Sequence, residues 1–477
     1  MAQKPSIPQG TRDFGPKEVQ KRKYILGKLE QAFRLSGFMP LETPSMENLT
    51  TLTGKYGDEG DQLLFKILNS GDYFKKLIEY NQRGLGHEEM DPTFLPSSSG
   101  KVADLDAKRS LPFLAEKGLR YDLTVPFARY VVMNRNQISF PFKRYQMQAV
   151  WRADRPQKGR YREFWQCDAD VVGSDSLLYE AELIHIYDDA FSSLGLPVII
   201  KLNNRKFLSA LANACGAANL LTPITIAIDK LDKIGLEMVL KELAEKGLNS
   251  EQINRIERFL QLPKTMDGAM AGLESICGEE EDFKTGKAEL EAVLKFLGPN
   301  LNNTLELDLC LARGLSYYTG AIFEVQAATG SLKSSIGGGG RYDNLTGIFG
   351  LPGVSGVGIS FGLDRIYDVL EELKLFPPSL SASPSRVLAC HFDEAGRSYV
   401  LNACYQLRKA GIACEVYPDI TKKIGKQLDY ANALGIPFAL IAGENEVNSS
   451  SFSLKNLVTG VQSSFKLEEL IHHLLEN

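Results

Sequence analysis

No apolar run in this chain approaches the roughly 20 residues needed to span a bilayer; residues 436–442 are among the longest and are strand-sized. That argues against a membrane partner. The first residues, MAQKPSIPQGTRDF, lack the apolar segment of a signal peptide. Cysteine is sparse: seven, an odd number with no C-x-x-C pair, which argues against a disulfide framework and against a structural zinc site. A reduced, cytoplasmic compartment fits best. The five histidines fall at no metal-ligand spacing, so no metal is assigned to the protein. Charge of one sign is also lacking. A net charge of −5 suits a protein that grips one folded RNA locally better than one that coats nucleic acid. No internal repeat and no P-loop is present.

What is there is a soluble, multidomain composition. The 477 residues, 44% hydrophobic and 24% charged, exceed what one core usually holds. A helix is expected over residues 17–35, with Ile25, Leu29, Ala32 and Phe33 at helical spacing. A strand at 38–43 is stopped by Pro44. Residues 80–109 turn polar and lose periodicity, as an insertion or loop would. Residues 196–305 become rich in helical Ala, Leu, Lys and Glu, with helices at 231–246 and 250–262. Strand character and glycines return at 305–361, followed by an amphipathic helix over 364–373. After a Pro/Ser-rich joint, strands (387–392, 413–417, 436–442) alternate with helices (395–409, 424–434), which predicts a small α/β domain with a largely parallel sheet. The expected division is 1–195 and 306–375 as a split catalytic core, 196–305 as a helical insertion, 376–385 as linker and 386–477 as the α/β domain.

The densest signal is FKRYQMQAVWRADRPQKGRYREFWQCDADVVG. Two strand-like segments flank a polar loop, and residues 142–162 hold seven Lys/Arg against the single acid Asp154. A solvated hairpin with a basic tip is the plain alternative. Alternation puts Phe164, Gln166, Asp168 and Asp170 on one face. An aromatic ring, an amide and two carboxylates make an odd core stripe but a suitable floor for a base and a hydrogen-bonding ligand.

This stretch resembles motif 2 of the class II aminoacyl-tRNA synthetases, and R-x-x-R-P-Q-K-G-R-Y-R-x-F-x-Q matches the histidine-specific family among them. The resemblance implies that Arg152 bridges the ATP α-phosphate and the amino-acid carboxylate, that Arg160 holds the outer phosphates, and that Phe164 stacks on adenine. Gln166 and Asp170 would line the amino-acid pocket. LARGLSYYTGAIFEV, otherwise readable as an exposed strand end, resembles the family's R-G-L-D-Y-Y motif, with Ser316 where Asp is usual. By that likeness Arg313 is a second arginine on the α-phosphate, and Tyr317 and Tyr318 line the imidazole pocket. SSIGGGGRYDNL with GVGISFGLDRIYDVL looks like motif 3, which places Arg365 at ATP. LRYDLTVPFARYV resembles the loop receiving the α-amino group. Asp122 and Thr124 share a face there if the chain is extended, and a carboxylate with a hydroxyl suits an ammonium. GFMPLETPSMEN looks like motif 1, whose proline, here Pro44, sits at a homodimer interface.

The likeness covers nearly the whole chain, from PQGTRDF to the C-terminal domain, which resembles an anticodon-binding module. That domain holds nine Lys/Arg against ten Asp/Glu, and only Lys422, Lys423 and Lys426 cluster. The expected fold is α+β: an antiparallel class II sheet flanked by helices, a helical insertion and an α/β domain. The expected activity is ATP-dependent ligation of histidine to tRNA(His), with Mg²⁺ bound through the ATP phosphates. The alternative is a histidine-sensing regulatory subunit of ATP phosphoribosyltransferase. Such relatives typically lack the C-terminal domain and part of the arginine set.

Overall fold

The computed structural model describes residues 4–72, 111, 113–263, 265–312, 317–378, 380 and 383–476. The polar stretch at 80–109, Arg313 and Ser316 lie outside the described residues. The chain forms two compact units, Met1–Arg12 with Ile25–Leu375, and Asp13–Tyr24 with Phe376–Asn477.

The strands of the first unit are β1 (Met39–Pro40), β2 (Met46–Asn48), β3 (Lys66–Ile67), β4 (Lys117–Leu119), β5 (Phe142–Trp151), β6 (Glu163–Val172), β7 (Val198–Asn204), β8 (Thr304–Leu307), β9 (Ala321–Ala327), β10 (Gly337–Tyr342) and β11 (Gly356–Gly362). Eight of them form one sheet in the order β1-β5-β6-β11-β10-β9-β7-β8. Its outermost pairs, β1/β5 and β7/β8, are parallel, and the rest are antiparallel. A small sheet, β2-β4-β3, sits apart from it in the pairing.

Alternation divides the large sheet into two faces. Tyr145, Cys167, Ala169, Val171, Val357, Ile359 and Phe361 point to one, and all are buried. Helices cover them: the helix Pro16–Leu35 brings Phe33 to 5.5 Å from Tyr145 and 5.7 Å from Phe361 between ring centroids. The helix Leu178–Ser193 brings Tyr187 to 4.8 Å and Phe191 to 5.4 Å from Phe361. Each ring so buried stabilises the fold by about 1.5–3 kcal/mol. The opposite face is polar and carries the candidate site.

The stretch read as a helical insertion opens with a strand of the sheet, β7, because its Val198, Ile200 and Leu202 are apolar on the covered face. The helical part proper lies between Arg205 and Leu297. The single helix expected over 231–246 is two, Leu231–Ile234 and Leu236–Glu245, broken at Gly235, whose φ of +79° suits glycine. The next helix, Ser250–Leu260, starts with a capping box between Asn249 and Gln252.

In the second unit β12 (Val387–His391), β13 (Cys414–Val416) and β14 (Phe438–Ala442) run parallel. Helices Glu394–Lys409 and Ile424–Leu434 connect them. The expected parallel sheet is extended by an antiparallel pair, β15 (Phe452–Asn456) and β16 (Gln462–Phe465). Serine-rich and short, these strands lack the apolar run that marks the others; β15 is anchored by buried Phe452 and Leu454.

Candidate active site

The floor is built by cross-strand register. On β5 and β6, Arg144 faces Asp170, Gln146 faces Asp168, Gln148 faces Gln166 and Val150 faces Phe164. On the other side of β6, Gly358 faces Asp170, Ser360 faces Asp168 and Gly362 faces Gln166. Gly340 and Gly338 continue these rows on β10. One half of the floor therefore carries side chains, mostly polar, and the other half, Ser360 apart, is bare backbone. The bare half is what lets large groups lie flat. A Cβ at Gly358 would stand 2.0 Å from Asp170 Oδ1, one at Gly340 2.7 Å from the Tyr318 ring, and one at Gly356 2.3 Å from the Tyr342 ring.

Asp170 is buried and has two partners that the sequence did not single out. Arg144 Nη2 lies 2.9 Å from its Oδ2, and the Tyr342 hydroxyl donates to its Oδ1 at 2.6 Å. Arg144 is wholly buried, donates to the Leu123 carbonyl at 3.2 Å and lies 4.2 Å from the centre of the Phe127 ring. Burial raises the Asp170 pKa, and Arg144 and then Tyr342 pull it back. Asp168 is pushed up to about 7, by burial first and opposed chiefly by Arg144.

Asp122 is also buried. It accepts hydrogen bonds from the Tyr56 hydroxyl and the Val125 amide, each at 3.1 Å. Burial raises its pKa, opposed by that amide and by Arg152. Thr124 is half-buried and opens the helix Thr124–Met133. The chain there is not extended, since Leu123 has helical φ and ψ, so the face-sharing argument for Asp122 and Thr124 does not hold. Arg152 Nε donates to the Tyr121 carbonyl at 3.1 Å, and its guanidinium lies 4.3 Å from the Tyr121 ring and 5.2 Å from the Phe164 ring. Tyr121 packs 4.5 Å from Tyr56. Tyr317 lies 4.8 Å from Tyr318 and 6.3 Å from Tyr342. Its pKa is raised well above the ordinary value, first by burial, then by Tyr318, Asp122 and Tyr56.

The structure thus brings Asp122, Arg152, Phe164, Gln166, Asp170, Tyr317 and Tyr318 to one face. Arg160 stands at its margin, exposed, 3.8 Å from Asp154. Arg365, on the helix Leu363–Glu372, ties the loop down: its Nε donates to the Gly159 carbonyl at 2.7 Å and its Nη1 to the Ser335 carbonyl at 2.6 Å. Next to it, Asp364 accepts from Arg12 at 2.6 Å and from the Trp165 amide at 2.8 Å, while Arg12 stacks 3.6 Å over Tyr161. Pro44 is exposed, and its carbonyl accepts from Arg120 at 3.3 Å. Arg120 is buried and also donates to Thr43 and Ala149 carbonyls at 2.6 and 2.8 Å, which fixes the Pro44 segment against β5. Burial lowers its pKa to about 10. The missed residues, Tyr56, Arg120, Arg144, Ser360 and Tyr342, act through neighbours distant in sequence. Only Arg144 carried a local signal, by sharing a strand face with Arg152.

A large antiparallel sheet backed by helices, with an arginine-bearing hairpin and a glycine-rich strand pair on one face, is the catalytic fold of class II aminoacyl-tRNA synthetases. The family model described as Histidyl-tRNA synthetase matches residues 101–366, and that described as Anticodon binding domain matches 386–477. A curated relative, "Histidine--tRNA ligase" of Bacteroides fragilis (strain YCH46), is 52% identical over 472 residues, 99% of each chain. That of Cytophaga hutchinsonii is 51% identical, over 99% of this chain and 100% of the other. Among solved structures, the histidyl-tRNA synthetase from Nostoc sp. PCC 7120 superposes with a TM-score of 0.78 at 29% identity, covering 99% of both chains. The chain belongs to the histidyl-tRNA synthetase family. The structure of an ATP phosphoribosyltransferase regulatory subunit/histidyl-tRNA synthetase from Bacillus halodurans shares the fold, with a TM-score of 0.68 at 20% identity.

Proposed function

We propose that the chain activates histidine with ATP, forming histidyl-adenylate and pyrophosphate, and then transfers histidine to the 3′ end of tRNA(His). The observation that carries this is the single face on which Arg152 stands between an aromatic ring, Phe164, and a buried set of hydrogen-bonding groups around Asp122 and Asp170. Activation is attack of an ionised carboxylate on the α-phosphorus. The nucleophile is already an anion at neutral pH and needs no general base. The barrier lies in bringing two anions together, which positioned arginines lower.

In this reading Arg152 and Arg313 are the catalytic pair on the α-phosphate. Arg160 and Arg365 hold the rest of ATP, and Phe164 carries adenine. Asp122 and Thr124 receive the α-ammonium, and Gln166, Asp170, Tyr317 and Tyr318 face the rest of histidine. The groups assigned to the phosphates are arginines rather than carboxylates, so Mg²⁺ would enter with the nucleotide, where it would help offset phosphate charge. The chain works in the cytoplasm as a homodimer joined around Pro44, and residues 386–477 bind the tRNA.

Pyrophosphate exchange with each of the twenty amino acids, without tRNA, tests the reading. Exchange with histidine alone is expected. Binding of histidine without any exchange would favour the regulatory-subunit reading instead.

A further inference from the structure

We propose that Ser360 and Asp168 are positioning residues that decide which end of the Gln166 amide faces the bound amino acid. Gln166 Nε2 donates to Ser360 Oγ at 3.1 Å. Ser360 stands directly across the ladder from Asp168, where its hydroxyl can turn toward the carboxyl and favour its ionised form. A serine hydroxyl has one hydrogen, and a carboxylate can only accept. With Nε2 donating into the Ser360 oxygen, the hydroxyl hydrogen is left for Asp168. Donation therefore runs one way, from Gln166 to Ser360 to Asp168.

The consequence is the orientation of Gln166. Its Oε1 is buried and, among the described residues, accepts no hydrogen bond; the same holds for Asp168 Oδ1. An acceptor held in that orientation suits a hydrogen-bond donor, either an ammonium or an imidazole N–H. Gln146, opposite Asp168 on β5, does not compete, because its amide donates to Thr43 Oγ1 at 2.9 Å and Gln148 Oε1 at 2.6 Å. The charged groups facing Asp168 are Arg144 on β5, Asp170 on β6, Asp122 beside the helix Thr124–Met133 and Arg120 just after β4. A protonated Asp168 could donate its own hydrogen to Ser360, leaving the Ser360 hydrogen to favour the turned-over amide, with Gln166 Oε1 rather than Nε2 toward Ser360. The device therefore works better as pH rises through about 7, the range in which this carboxyl titrates.

This rests on Gln166 touching the amino acid, so the test carries that residue as a control. Pyrophosphate exchange by the full-length protein would give KM for histidine and for ATP separately, with thermal melts to confirm folding. Ser360→Ala and Asp168→Asn should each raise the histidine KM about tenfold, as expected for a misdirected hydrogen bond to a charged or polar partner, with the ATP KM little changed. Ser360→Thr, which keeps the hydroxyl, should restore it. The pH dependence of the histidine KM beyond that due to histidine's own ionisation should vanish in Asp168→Asn. If Gln166→Ala raises the histidine KM while Ser360→Ala and Asp168→Asn do not, the proposal is overturned. If Gln166→Ala also leaves it unchanged, the assignment of Gln166 to the amino-acid seat fails first. Should Asp168→Asn not fold, the Ser360 pair alone decides.

Discussion

Arg144 and Asp170 neutralise each other beneath the site, with side chains 0% and 3% exposed. Removing one partner of such a pair strands a buried charge. Arg144→Ala should destabilise the protein by about 3–5 kcal/mol in denaturant titration. An effect near zero would mean that Asp170 is neutral in the wild type. Asp168 gives a prediction with the opposite sense. Its folded pKa, about 7, lies above the unfolded value of roughly 4. The folded state holds that proton more tightly, so this residue lowers stability as pH rises from about 4 to about 7. Asp168→Asn should therefore melt higher than wild type at pH 8, with the gain shrinking toward pH 5. A gain independent of pH would contradict the shifted ionisation. At this scale the stripe Phe164, Gln166, Asp168, Asp170 was legible, because strand alternation is local. The partners were not. Ser360 and Tyr342 reach β6 only through a register between segments some 170–190 residues apart, which no local pattern encodes.

Among the elements, the glycine strands matter for what they leave out. The sequence showed glycines at 340, 356 and 358; it did not show that Tyr318, Tyr342 and Asp170 lie where side chains at those three positions would be. Gly358→Ala sets a methyl group against Asp170 and the Ala169 carbonyl at 2.0 and 3.2 Å. It should lower stability by about 1–3 kcal/mol, in the range of overpacked cores, and weaken histidine binding more than ATP binding. Equal loss of both in isothermal titration would show a general distortion instead. Helices were read well where one face is apolar, as in Pro16–Leu35 and Leu363–Glu372. The misses were the break at Gly235, which needs a backbone angle that composition does not give, and the β15/β16 pair, whose polar strands are recruited by β14.

At the scale of the whole chain, catalysis and tRNA binding are assigned to different units, and the two half-reactions should come apart. A chain stopped before Arg386 should keep ATP–pyrophosphate exchange with histidine while losing most transfer to tRNA(His), measured by aminoacylation at subsaturating tRNA. Undiminished transfer would take tRNA recognition away from residues 386–477. The parallel pairing of β7 and β8 has a consequence of its own. Ile199 stands beside Thr304 and Leu202 beside Leu307, so the roughly hundred residues between them leave the sheet and return at neighbouring points. Closing so long an excursion costs little more than closing a short one, since the entropy grows only with the logarithm of length. The two strands act as a buckle: whatever hangs from it can be lengthened, trimmed or exchanged while the catalytic sheet keeps its register.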